Sequence, residues 1–167
     1  PSRSANDVLP PFVALEPPKA TAGYFSSLNG PLTLRVRGSG GGITTLNHAD
    51  GIDRLNRRLD LLDKLDPDRK GALGKGATDF GDLYGPALRL TQSPEIGALF
   101  NVNQGDHVRY GSSKFGDSLV LARQLLSANR GTRFVQATYT GWDDHNEIYS
   151  RFIPRCMAFD TSFAALL

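Results

Sequence analysis

Two carboxylates and an imidazole occupy three consecutive positions of the sequence, Asp143, Asp144 and His145. Carboxylate oxygens and an imidazole nitrogen are donors that bind divalent cations. On a turn, an Asp-x-His pair can converge on one ion, which makes Asp143 and His145 candidate metal ligands. Three adjacent residues rarely complete a coordination sphere, so further ligands must come from elsewhere. In the alternative interpretation, Asp143 or Asp144 caps the helix that follows, and His145 lies in its first turn.

Other polar segments give weaker signals. The stretch 101–114 is polar and glycine-bearing, which is typical of a solvated loop between helices. Its titratable side chains belong to Asp106, His107, Arg109 and Tyr110. The glycines of 38–42 suggest a phosphate-binding loop, but the Gly-Lys-Ser/Thr ending is absent and no clear helix follows. We therefore predict a flexible turn there.

No hydroxyl group has the surroundings of an activated nucleophile. Ser112, Ser113 and Thr140 are the hydroxyl residues nearest to the Asp-Asp-His cluster in sequence. Activation requires an adjacent base or another means of lowering the hydroxyl pKa, and the sequence offers neither. Trp142 is expected to pack beneath the turn, since a single large aromatic side chain is usually part of the core.

The elements around the cluster predict one αβ unit of a layered α/β fold. Residues 115–128 form an amphipathic helical pattern, and Gly131 is expected to terminate that helix in the left-handed conformation. Residues 133–139 then predict a short strand, and the Asp-Asp-His cluster follows at its carboxyl end. Ligands of open α/β sheets bind at the carboxyl ends of the strands. A final amphipathic helix is expected from Glu147 onward, with Pro154 inside it.

The rest of the chain divides into an arm and a helical part. Residues 1–48 are rich in Pro, Gly and Ser and predict an extended arm or long loop, with at most one strand near 32–36. In 49–167, apolar spacing predicts a helix from about 50 to 65. Further predictions are a polar linker over 69–76, a helix over 79–91 kinked by its proline, and a short helix capped by Ser93.

Composition excludes several protein classes. Hydrophobic residues make up 40% and charged residues 22% of the 167 positions, which argues against disorder and a fibrous fold. A net charge of +2, spread along the chain, gives no electrostatic basis for binding nucleic acid or an anionic membrane. No apolar run is long enough to span a bilayer. Cys156 is the single cysteine, so an internal disulfide is excluded.

The apolar helical ending at 163–167 carries no cap, which favours a partial chain.

Several short motifs resemble a known family. They are Tyr110-Gly111, Phe115-Gly116, the helical run 119–126, Thr132-Arg133-Phe134-Val135 and Gly141-Trp142-Asp143-Asp144-His145-Asn146. Together they resemble the domain-of-unknown-function 1501 family, secreted bacterial proteins related to sulfatases and alkaline phosphatases. The resemblance is specific over 110–146 and looser over 9–13 and 54–62. The chain departs from the family pattern at Gln124, where an arginine is usual, and at Asp144, where a threonine is usual.

The resemblance implies a three-layer α/β/α sandwich of the alkaline phosphatase-like type, with a mainly parallel sheet, and a single partial domain over 1–167. It also implies a divalent metal ion (zinc, calcium or similar) held by Asp143 and His145, with Asp144 and Asn146 as possible neighbours of the ligands. The implied activity is metal-dependent hydrolysis of a small phosphate or sulfate ester by a secreted or periplasmic protein. The family's later Gly-Glu-Phe-Gly-Arg and Arg-Asp-His-Trp motifs do not occur here, so this chain alone is expected to be inactive.

Two alternatives remain at this point. The first is a non-catalytic secreted binding or structural protein on the same fold. It predicts that Asp143 caps the following helix, that His145 bonds to backbone and that no third donor converges on them. The second is an unrelated α/β interaction module, favoured by a closed sheet with strand 133–139 at its edge. One scaffold hosts many functions, so the fold alone does not separate a hydrolase from the first alternative. The sequence does not predict an oligomeric state.

Overall fold

A small parallel sheet organises the described part of the chain. The computed structural model describes residues 7–16, 30–43, 52–65 and 93–167. Three strands, β1 (Phe12–Leu15), β2 (Leu32–Leu34) and β3 (Phe134–Ala137), pair in the order β2-β1-β3. The central strand β1 is parallel to both neighbours. The described helices are α1 (Ile52–Leu65), α2 (Pro94–Ala98), α3 (Gln104–Arg109), α4 (Lys114–Ser127) and α5 (Ile148–Leu166). The fold is therefore mixed α/β.

The core joins β1 to helix α4. Val13 and Leu15 of β1 are fully buried, as are Val120, Leu121 and Leu125 of α4. Helix α4 packs against β3 and also against α5. A central parallel strand is covered on both faces, which explains why β1 is a continuous apolar run without polar alternation. Helix α4 therefore connects the sheet to the last helix.

Several predicted elements are confirmed. Helix α1 and strand β3 fall within the predicted ranges, α4 begins one residue before the predicted range 115–128, and β2 lies within the single strand predicted near 32–36. Ser93 caps α2 as predicted, because its hydroxyl accepts a hydrogen bond from the Ile96 N–H at 3.4 Å. The terminator of α4 differs from the prediction. Asn129 is the first left-handed residue after the helix (φ 49°), and an asparagine side chain tolerates that conformation. Gly131, which was predicted to be the terminator, follows two positions later with a φ of 116°.

Two predictions about loops are wrong. Residues 12–15 are not part of an extended arm but form the central strand, so the segment 1–48 contributes two strands to the sheet. The stretch 101–114 is not all loop, because it contains α3, whose first turn is capped by the Asn103 side chain on the Asp106 N–H at 2.8 Å. The linker predicted over 69–76 and the helix predicted over 79–91 lie outside the described residues.

Two glycines of the resemblance motifs allow close packing around Tyr110. A Cβ atom at Gly116 would overlap the Tyr110 carbonyl oxygen at the start of α4. A Cβ atom at Gly111, which has a φ of 86°, would lie 3.2 Å from Thr161 Cγ2 on α5. The Ser162 hydroxyl donates a hydrogen bond to the Tyr110 carbonyl oxygen at 2.8 Å. This hydrogen bond connects α5 to the backbone at Tyr110. These glycines therefore have a packing role.

The described helices include none that is both long enough and apolar enough to cross a membrane.

Candidate functional site

The carboxyl ends of all three strands lie at one edge of the sheet. Leu15, at the end of β1, pairs with Leu34 of β2 and with Ala137 of β3. The backbone continues this alignment, because the Glu16 N–H donates to the Leu34 carbonyl at 3.0 Å and the Thr138 N–H donates to the Leu15 carbonyl at 3.1 Å. Residues that follow the strands are therefore collected at this edge, the usual place for ligands of a parallel sheet.

Asp143 and His145 come together on the turn that follows β3. The Asp143 Oδ1 and His145 Nε2 atoms lie 3.2 Å apart. Both side chains are open to solvent, with exposures of 88% for Asp143 and 83% for His145. An oxygen and a nitrogen donor thus stand side by side on the solvent face of the turn. The two side chains are therefore in contact on an open surface, and their role as metal ligands stays a prediction.

Asp144 points the other way, toward helix α5. Its carboxylate forms an ion pair with the Arg155 guanidinium, and Arg151 NH1 lies 3.9 Å from its second oxygen. The side chain of Asp144 is only 12% exposed. The prediction that Asp144 caps the following helix is wrong, because the N-cap of α5 is Glu147 and no side chain accepts a hydrogen bond there. Asp143 does not cap it either.

The remaining predicted residues have lesser roles at the turn. Asn146 is exposed, and no hydrogen bond joins its side chain to Asp143 or His145. Trp142 packs edge-on against Tyr139 and Phe159, and its Nε1–H donates to the Tyr139 carbonyl oxygen at 3.1 Å. Trp142 is still 44% exposed, so it lies beside the turn and not wholly beneath it.

The hydroxyl residues near the cluster provide no nucleophile in the described structure. The Ser113 hydroxyl is the N-cap of α4 and accepts the Gly116 N–H at 3.0 Å. Ser112 is an exposed residue with a left-handed backbone (φ 48°), and Thr140 is exposed beyond β3. None of the described hydrogen bonds joins these three hydroxyls to a histidine or a carboxylate. The sequence-based rejection of all three is consistent with this geometry.

A second ionic cluster at the same edge was not predicted. Glu16 follows β1 in a left-handed conformation (φ 53°), and its Oε1 accepts the Val36 N–H at 2.6 Å. Its Oε2 lies 3.8 Å from Arg35 NH1 and 3.9 Å from Lys114 Nζ. The signal in the sequence was a single acidic residue directly after an apolar run. Since β1 was not recognised as a strand, that acid was not assigned to a strand end.

A buried His–Asp pair was also missed. His107 Nδ1 lies 2.7 Å from Asp117 Oδ1, and Asp117 is fully buried. The Gly40 N–H donates to Asp117 Oδ2 at 3.2 Å, which anchors the glycine turn 38–42 to α4. The spacing of ten residues between His107 and Asp117 gives no helical or strand periodicity that would place them together. The predicted solvated loop around His107 and the predicted flexible glycine turn are therefore linked by a buried carboxylate.

The Asp143–His145 pair supplies two donors of the kinds that bind zinc or a related ion. Imidazole nitrogen and carboxylate oxygen suit zinc, whereas calcium takes mainly oxygen ligands. Over the described ranges, no group of three or more His, Cys, Asp or Glu side chains is arranged to hold a metal ion. Two protein donors on an exposed turn leave the other positions around an ion to water, to a substrate oxygen or to donors beyond the described residues.

Comparison with known proteins identifies a family match. The model of the family described as "Protein of unknown function (DUF1501)" matches residues 2–167, which is nearly the whole chain. No curated protein and no solved structure gives a significant match.

Proposed function

This chain belongs to the family of proteins of unknown function (DUF1501), and on that premise we propose that it carries a divalent-metal site for the hydrolysis of phosphate or sulfate esters. The observation that carries the proposal is the 3.2 Å contact between Asp143 Oδ1 and His145 Nε2. The pair lies on the turn after β3, at the edge where parallel sheets bind ligands. The resemblance to sulfatases and alkaline phosphatases supports the reaction class.

Zinc or a similar transition metal suits this donor pair better than calcium. One donor is an imidazole nitrogen, which calcium seldom uses. A bound divalent ion would lower the pKa of a coordinated water and neutralise charge on a phosphoryl or sulfuryl oxygen. Asp143 would supply negative charge, and His145 would supply a neutral nitrogen. Their exposure leaves room for a small ester to approach from solvent.

The proposal extends to the architecture and location of the protein. The parallel sheet and the packing of α4 on β3 support a three-layer α/β/α sandwich of the alkaline phosphatase-like type, of which 1–167 would be a single partial domain. A secreted or periplasmic location follows from the resemblance. The 167-residue chain on its own is expected to be inactive, since the Gly-Glu-Phe-Gly-Arg and Arg-Asp-His-Trp motifs expected from the resemblance do not occur in it.

A non-catalytic binding or structural protein is the second candidate. One observation favours it: within the described segments, no third acidic, histidine or cysteine side chain converges on Asp143 and His145. Two of its expectations do not match the geometry, because Asp143 does not cap α5 and His145 contacts a carboxylate. The third reading, an unrelated interaction module, expected strand 133–139 at a sheet edge, and β3 is the last strand of the sheet that the described residues form. The family membership argues against an unrelated chain.

Zinc binding by matched variants tests the proposal. Isothermal titration calorimetry would compare the wild type with Asp143→Ala and His145→Ala. The control, Asp160→Ala, removes another exposed acid on α5. We expect one zinc ion per wild-type chain, weaker binding in both site variants and no change in the control, because each site variant removes one of two donors.

Ester hydrolysis would then be assayed with phenyl phosphate and phenyl sulfate on the zinc-loaded protein, including the longest form of the polypeptide that can be expressed. Hydrolysis that is lost in both site variants would support the enzyme. Stoichiometric zinc without hydrolysis in that longest form would favour the non-catalytic candidate. Absence of zinc binding from a folded wild type would refute the metal site.

A further inference from the structure

The turn 141–147 is held by the residue between the two candidate ligands. Asp143 and His145 are exposed, whereas Asp144 is 12% exposed and faces α5. The carboxylate of Asp144 is held against α5, while the side chains of its two neighbours face solvent. Asp143 and His145 thus lie 3.2 Å apart on the open side of the turn.

Arg155 is the anchor on the helix side. Its guanidinium pairs with Asp144 and lies beneath Gly141, where an added Cβ atom would be 3.5 Å from Arg155 NH2. Gly141 has a φ of 91°, a conformation that favours glycine. The backbone of the turn therefore packs directly against the guanidinium. The Tyr139 hydroxyl donates to the Arg155 carbonyl oxygen at 3.4 Å. This hydrogen bond connects the segment that follows β3 to the same turn of α5.

Arg151 plays a smaller part. It lies 3.9 Å from Asp144 and 3.8 Å from Glu147, one helical turn before Arg155, and its side chain is 57% exposed. Solvent screening weakens ion pairs of that kind. Arg155, which is 20% exposed, is the better-shielded partner. The two arginines thus differ in how strongly they can hold the turn.

We propose that Asp144 and Arg155 are positioning residues that hold Asp143 and His145 together on the solvent face of the turn. The reason for holding the two side chains together rests on the proposed function, whereas the positioning itself can be measured in the metal-free protein. Residues that orient metal ligands commonly change metal affinity by about 10–100-fold when mutated.

Two variants and two controls test the positioning. Asp144→Asn removes the charge with little change in shape, and Arg155→Met removes the guanidinium but keeps an apolar stem. Asp144→Glu keeps the charge and should partly rescue the wild-type behaviour. Glu95→Gln removes the charge of an exposed ion pair with Arg130, away from the turn, and is the matched control.

The first readout needs no metal. In the nuclear magnetic resonance spectrum, we expect a nuclear Overhauser effect between the His145 ring protons and the Asp143 Hβ protons in the wild type and Glu95→Gln. The effect should be weakened or lost in Asp144→Asn and Arg155→Met, while the melting temperature and the spectrum of core residues stay close to wild type. Should Arg155→Met fail to fold, Asp144→Asn alone decides the question.

The second readout is zinc affinity by calorimetry, for which we expect about 10–100-fold weakening in Asp144→Asn and Arg155→Met. A proton contact that persists in both variants, or that is absent from the wild type, would overturn the positioning role. A contact that is lost as expected in a protein that binds no zinc would support the positioning role and refute the metal site. The two proposals can therefore fail separately.

Discussion

At the scale of single residues, the buried carboxylate of Asp117 is a polar group shared by three segments of the chain. It is hydrogen-bonded to His107 and accepts the Gly40 N–H, so it connects α3, α4 and the glycine turn. Its place in the first turn of α4 is favourable, because the positive end of a helix stabilises a negative charge. The two partners offset the desolvation cost of burying the carboxylate, and leaving those partners without it is expensive.

Asp117→Asn is expected to destabilise the protein by about 2–4 kcal/mol, because it removes the charge and replaces one acceptor oxygen with a donor. Urea denaturation followed by circular dichroism would measure the free energy of unfolding. Glu95→Gln, which breaks an exposed ion pair with Arg130, should change it by less than about 1 kcal/mol. Equal effects of the two substitutions would contradict the structural importance of Asp117.

Residue-level reasoning could reach only residues that are neighbours both in sequence and in space. The contact of Asp143 with His145 follows from an i, i+2 spacing on a turn, and it is present. The role of Asp144 was missed, because its partner Arg155 lies eleven residues later on a helix whose orientation the sequence does not specify. The His107–Asp117 pair was missed for the same reason, since its geometry depends on how α3 packs on α4.

At the scale of elements, close approach around Tyr110 holds α4 and α5 in place. Gly116 lies where α4 begins, against the Tyr110 carbonyl, and the Ser162 hydroxyl binds the same carbonyl oxygen from α5. Two helices therefore converge on one backbone group. A side chain at Gly116 would push α4 away from that group and from the sheet beneath it.

Gly116→Ala should destabilise the protein by about 3 kcal/mol, because its Cβ atom would overlap backbone that cannot move freely. Gly97→Ala is the matched control on α2, where an added Cβ atom meets nothing within 4 Å. That substitution should be neutral or stabilising by up to about 1 kcal/mol, since alanine favours helix over glycine. Thermal unfolding of both variants would measure the difference. A milder effect at Gly116 than at Gly97 would contradict the close packing.

Element prediction depended on whether the stabilising contacts are local. Helices α1, α2 and α4 have apolar spacing or caps within their own sequence, and all three were predicted. Strand β1 has four residues with no alternation, and its hydrogen-bond partners lie in β2 and β3. Helix α3 has six residues and a glycine, so its stability comes from the Asn103 cap and the buried His107. Neither β1 nor α3 has a local pattern that would reveal it.

At the scale of the whole molecule, α5 is apolar on more than one face. Phe152, Phe159 and Phe163 extend the aromatic contacts of Trp142 along one side. Tyr149, Ile153 and Met157 recur every four residues on another side, with exposures of 87%, 57% and 65%. A helix that is apolar around most of its circumference is usually buried. In the described part of the chain, these three side chains remain open to solvent.

The double variant Ile153→Glu with Met157→Lys should bind less of the dye anilinonaphthalene sulfonate and stay soluble at higher concentration, because it replaces exposed apolar surface without changing the net charge. Its free energy of unfolding should stay within about 0.5 kcal/mol of wild type. Ser150→Glu with Ala164→Lys adds the same charges at other exposed positions of α5 and serves as the control. Equal dye binding by the two double variants would show that the apolar stripe is not the dye site.

The pairing of β1 with β3 also sets the order in which the molecule can fold. The Thr132 hydroxyl donates to the Pro10 carbonyl oxygen across 122 positions, and the sheet register continues from there. During synthesis on the ribosome, the central strand must therefore wait for its second neighbour until most of the 167 residues have been made. Contacts between such distant positions slow folding and leave a strand edge exposed meanwhile. The hydrophobic segment at 12–15 is consequently a part of the nascent chain that needs protection from aggregation until β3 has been made.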